Sequence, residues 1–181
     1  MNIDMPIKKQ NKVKNFIKEN KVNIYIFLAM LIFTIIICSN FFNMHFSQDT
    51  YSLYSSGWDA YIKHFLLSNR IFSALELWIS KVFNISFEMT ILISSIVSMI
   101  VFSLTWFILY KFIVKMIKKE HDKWQNLLII AITFSIIFNF CTFETMVFAE
   151  VSIMSISILL AVIAACLRSE EHTSELQSPS R

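Results

Sequence analysis

The chain has 181 residues, of which 56% are hydrophobic and only 16% charged, with a formal net charge of +3. A water-soluble domain of this length needs more polar surface than that, and one Gly with two Pro leaves too little turn chemistry for an all-β or α/β fold. The composition therefore predicts an all-α, polytopic transmembrane helix bundle, with the lipid bilayer as its first partner and no nucleic acid.

Residues 1–21 form a polar lead carrying Lys8, Lys9, Lys12, Lys14, Lys18 and Lys21. Residues 22–42 then run without a charge, long enough to cross a hydrocarbon core of ~30 Å. This run exceeds the h-region of a secretory signal and no A-x-A site follows it. Ile37 also stands where lipoprotein cleavage at Cys38 would need a small residue. An uncleaved first span is expected, in the cell membrane, with the N-terminus cytoplasmic.

Residues 43–88 are expected outside, as a loop followed by a surface helix. The loop is polar and aromatic, with Tyr51, Tyr54, Trp58 and Tyr61, side chains that suit headgroup depth. Over residues 65–83, Arg70, Ser73, Glu76, Ser80 and Asn84 recur at three- and four-residue spacing, opposite Ile71, Leu75, Trp78, Ile79 and Val82. The pattern predicts one amphipathic helix lying in the interface. Carrying Arg70, Glu76 and Lys81 to mid-bilayer costs about 2.5–3.5 kcal/mol each, more than the neighbouring Leu and Ile return.

A second span is expected over residues 89–110, then a basic loop with Lys111, Lys115, Lys118, Lys119 and Lys123. With residues 65–83 outside the core, this loop falls on the side of the basic N-terminus, as the positive-inside rule requires. Residues 124–143 make a third span. A short external turn follows, with Glu144 and Glu150 and no Lys or Arg, and then a fourth span over residues 149–167. Residues 168–181, beginning Arg168-Ser169-Glu170-Glu171-His172, resemble the in-frame translation of a sequencing-library adapter. They are expected to be a non-native tail, with the natural chain continuing past Leu167.

Cys38, Cys141 and Cys166 all lie in or beside apolar runs, without CxxC or Cys/His spacing, and read as buried thiols. His45 and His64 have no third ligand at useful spacing, so no metal or other cofactor is expected.

The order of elements, a basic lead, a span, an external loop with an early acid, a surface helix with Arg and then further spans, resembles polytopic glycosyltransferases of the GT-C architecture. More narrowly, Phe46-Ser47-Gln48-Asp49-Thr50-Tyr51 followed by Leu67-Ser68-Asn69-Arg70-Ile71-Phe72 is similar to the GtrII-type glucosyltransferase domain. In that family an acidic residue and an aromatic follow the first span, with a Gly-Arg or similar pair further on. Here a single Asp stands where a pair is often found, and Asn69 replaces the Gly.

The resemblance implies transfer of a sugar, glucose in that family, from a polyprenyl-phosphate donor to a cell-envelope glycan at the outer face. Asp49 would take the proton of the acceptor hydroxyl. Arg70, supported by Lys63, would hold the leaving phosphate. Tyr51, Trp58, Glu76, Glu144 and Glu150 complete the residues assigned to substrate.

Each also has a plainer role. Asp49 suits a solvated loop or a helix cap, and Arg70 a side chain snorkelling to lipid phosphates. Glu76 suits a polar helix face, Glu144 and Glu150 an external turn, and the aromatics interface anchors. Two other function classes fit the same pattern, a transporter of polysaccharide or lipid-linked oligosaccharide and a non-catalytic membrane protein.

Overall fold

The computed structural model describes residues 20–39, 52, 55–117, 122–139 and 151–177, and these are all-helical. The helices are α1 (Lys21–Ile37), α2 (Trp58–Leu67), α3 (Ile71–Val82), α4 (Phe87–Ile117), α5 (Lys123–Ile137) and α6 (Val151–Gln177).

The others are arranged about α4. Its start is fixed by Ser86, whose Oγ accepts the backbone N–H of Met89 at 3.2 Å. Glu88 lies in the first turn and Lys115 in the last, each matched to the helix dipole. At 31 residues the helix is about 46 Å long, more than a bilayer core of ~30 Å. It and the Ser152–Ser169 stretch of α6 are the described helical segments both long and apolar enough to cross a membrane. The apolar helices α1 and α5 have 17 and 15 residues, which reach about 25 and 22 Å.

The side-chain contacts fix the directions of packing. Lys111 Nζ donates to Asn23 Oδ1 at 3.1 Å, and the Phe27 and Phe107 rings meet edge-on at 5.8 Å, so α1 runs antiparallel to α4. Trp106 Nε1 donates to Thr133 Oγ1 at 3.0 Å and the Phe102 and Phe138 rings lie 5.9 Å apart, which makes α5 antiparallel to α4 as well. The backbone N–H of Ser152 donates to Ser94 Oγ at 3.2 Å, while Cys166 lies beside Ile108 and Phe112. Helix α6 is therefore parallel to α4. Met30, Met99, Phe102, Trp106, Ile129 and Phe138 form the main core between them.

Many hydroxyls are buried beside this core, and many large apolar side chains face outward. Thr34, Ser94, Ser98, Ser103, Thr105 and Thr133 are buried, whereas Ile32, Ile36, Leu127, Leu128, Ile132 and Leu160 are exposed. Several of these hydroxyls bond within their own helices. Thr34 Oγ1 donates to Met30 O, Ser98 Oγ to Ser94 O and Ser103 Oγ to Met99 O, at 2.9, 2.7 and 2.7 Å. Small residues at helix contacts with apolar bulk turned outward suit a lipid environment.

The structure departs from the expected single helix over residues 65–83. Helix α2 begins earlier, at Trp58, and the chain breaks at Ser68-Asn69-Arg70 before α3 starts. Asn69 takes the left-handed conformation (φ 59°). Its N–H donates to Leu66 O at 3.2 Å and that of Arg70 to Phe65 O at 2.9 Å, a Schellman termination. Asn84 (φ 53°) ends α3 in the same way, with Asn84 N–H to Lys81 O and Ile85 N–H to Ser80 O at 3.1 and 2.9 Å. In a chain with one Gly, asparagine supplies both left-handed caps.

The outcome is a hairpin. Lys81, in the last turn of α3, pairs with Asp59, in the first turn of α2, at 2.5 Å across its open end. Its core is Tyr61, Phe65, Ala74 and Leu77, closed by Phe87 and Ile91 of α4.

Other boundaries also shift. Lys111 and Lys115 belong to the last turns of α4, not to a loop, because the capped apolar helix continues past Tyr110. Helix α5 ends at Ile137, with Phe138 its C-cap, short of the expected residue 143. Helix α6 runs on past Leu167 to Gln177, so the polar residues after Arg168 extend the helix without a break at the apolar boundary.

Candidate functional site at the α2–α3 hairpin

Of the eight residues that the sequence singles out, Trp58, Lys63, Arg70 and Glu76 lie in described segments, and all four belong to the hairpin. Asp49, Tyr51, Glu144 and Glu150 lie outside the described residues.

Trp58 opens α2 after Gly57, whose φ of 86° gives the sharp entry. Its indole packs edge-on against Phe87 at 5.8 Å, so this side chain joins the hairpin to the first residue of α4. Lys63 is exposed on α2. Arg70 is the exposed N-cap residue of α3, and its guanidinium lies 5.9 Å from the centroid of the Phe65 ring, within cation–π range. The Schellman turn sets that position, because Arg70 is the residue whose N–H closes onto Phe65 O.

Glu76 departs most from its expected place. The face formed by Ser73, Glu76 and Ser80 was expected to meet water, yet Ser73 and Ser80 are buried and Glu76 is half-buried. Ile71, Phe72, Leu75, Trp78 and Ile79 carry the exposed face instead. Helix α3 thus turns its polar stripe toward protein and its apolar stripe outward. The Glu76 carboxylate accepts a hydrogen bond from Ser152 Oγ at 2.7 Å. Ser152 lies in the first turn of α6, where the helix dipole favours a neighbouring negative charge. Through Ser152 N–H, bonded to Ser94 Oγ, the contact reaches α4.

Sequence reasoning passed over Ser94 and Ser152. Their signal was the spacing of small hydroxyl residues (Ser94 with Ser98, Ser152 with Ser155) inside otherwise apolar helices.

The site is set apart from the basic end. The hairpin core closes on Phe87 and Ile91, whereas Lys111 and Lys115 lie near the other end of α4, about 36 and 42 Å along its axis from Phe87. Lys21, at the start of α1, and Lys123, at the start of α5, belong to that same basic end by the antiparallel packing.

No family model, curated protein or solved structure matches this chain. What the hairpin can do follows from its own chemistry. The exposed Arg70 guanidinium and Lys63 ammonium, at the end of α4 opposite Lys111 and Lys115, suit a phosphate. Glu76, engaged with α6, suits holding the hairpin in place.

Proposed function

We propose that the chain belongs to a multi-pass membrane glycosyltransferase that moves a sugar from a polyprenyl-phosphate donor to a cell-envelope glycan at the outer face. In this reading α1, α4, α5 and α6 cross the membrane, the lysine end and the N-terminus are cytoplasmic, and the α2–α3 hairpin lies at the outer surface. The observation that carries it is the separation of Lys63, Arg70 and Glu76 from Lys111 and Lys115 by the length of α4. By the positive-inside rule, the basic end is the inner one.

The chemistry then needs three parts. A carboxylate, Asp49, takes the proton of the acceptor hydroxyl as the sugar C1–O bond to phosphate breaks. Arg70 receives the phosphate on two parallel N–H donors, with Lys63 adding charge. Glu76 holds the hairpin against α6 by its bond to Ser152, and Trp58 holds it against α4. The left-handed backbone at Asn69 adds local support, since it is a conformation that the Gly of a Gly-Arg pair adopts without strain. Tyr51, Glu144 and Glu150 remain assigned to substrate on the resemblance alone.

The test is Asp49→Asn in the full chain, with membrane insertion and sugar incorporation measured side by side. Incorporation is expected to vanish while insertion is unchanged; full incorporation in the variant refutes the assignment.

A further inference from the structure

Between the C-terminal turns of α4 and the neighbouring part of α6 lies a groove of about 470 Å³. Its walls are apolar, with Phe107, Ile108, Phe112 and Cys166 among them, and two cations, Lys111 and Lys115, also line it. These lysines stand one turn apart on α4, so both ammoniums serve the same side of the helix. Lys111 is held there by its bond to Asn23 Oδ1 on α1.

Along the helix axis the groove begins with the apolar Phe107 and Ile108 and ends at Lys115 in the last turn, with Lys111, Phe112 and Val114 between them. That is the order of a phospholipid read from acyl chain to headgroup. An apolar slot without charge would take any lipid tail. Two ammoniums at its rim, beside the other lysines of this end, select an anionic headgroup.

We propose that this groove is a binding site for an anionic phospholipid of the inner leaflet, with the acyl chain against Phe107 and Ile108 and the phosphate between Lys111 and Lys115. The proposal rests on the membrane-embedded part of the preceding function, but not on sugar transfer.

The test uses delipidated full chain in neutral detergent, titrated with phosphatidylglycerol or phosphatidylcholine, with bound lipid counted by native mass spectrometry. Phosphatidylglycerol is expected to bind the more tightly. K111Q/K115Q should lose that preference by roughly fivefold for each lysine, K111R/K115R should keep it, and K123Q, outside the groove, should leave it nearly intact. Phosphatidylglycerol should also slow maleimide labelling of Cys166 in the unsubstituted chain, a readout that needs no lysine variant to fold. Equal binding of the two lipids, or a preference that survives K111Q/K115Q, overturns the site. Release of the chain from membranes by alkaline extraction would instead defeat the membrane reading, before any lipid is added.

Discussion

At the scale of single residues, two asparagines decide the shape of the candidate site. Asn69 and Asn84 both hold left-handed backbone, which costs most L-residues about 1–2 kcal/mol and costs Asn less. Asn69→Ala is expected to lower stability by about 1 kcal/mol, read from the unfolding midpoint, while Asn69→Gly keeps it. A midpoint for Asn69→Ala equal to the parent would mean that the turn does not depend on its cap. Glu76 and Ser152 form the second decisive pair. Charge-assisted hydrogen bonds contribute about 1.5–3 kcal/mol, so the Glu76→Gln, Ser152→Ala double-mutant cycle should return a coupling near the lower end of that range. Additive effects would remove the proposed tie between hairpin and α6.

At the scale of elements, the Trp106 indole N–H joins α4 to α5 in an aromatic setting. Trp106 Nε1 donates to Thr133 Oγ1, and Trp106 packs on Phe134 and Phe138 at 5.2 and 5.9 Å. Thr133→Val keeps the shape and removes the acceptor, although Ile130 O still receives the indole N–H at 3.2 Å. A loss of about 1 kcal/mol is therefore expected, measured by detergent unfolding. The sequence made the apolar helices legible, because long uncharged runs carry their own signal, and the cluster of lysines near residue 111 was equally plain. The hairpin was not. Periodicity over residues 65–83 is continuous across the break, and only the left-handed backbone at Asn69, invisible to a hydrophobic pattern, interrupts it. The same pattern separated the polar and apolar faces of α3, but the polar face, expected to meet water, is the one that meets protein. Packing against α2 and the bond to α6 decide that, and both are long-range. Of the candidate site, Arg70 and Lys63 were found by charge, and the serine partner of Glu76 went unnoticed for want of one.

At the scale of the whole molecule, Lys111 and Lys115 lie toward one end of α4 and the hairpin, with Lys63, Arg70 and Lys81, toward the other. Single cysteines placed at positions 63 and 115, in a background without Cys38, Cys141 and Cys166, should label from opposite sides of a sealed membrane. Labelling from a common side would collapse the proposed orientation.

From Phe87 to Tyr110 the stretch of α4 before its lysines is about 36 Å long, some 6 Å more than a bilayer core of ~30 Å. On the proposed topology, α4 accommodates that surplus by tilting from the membrane normal. Helices α1, α5 and α6 are fastened to it and lean with it. In thinner bilayers the inclination must steepen, carrying Phe87 and the hairpin seated on it to a new height and angle over the lipid surface. On that topology, bilayer thickness becomes a mechanical input to the hairpin end of this protein.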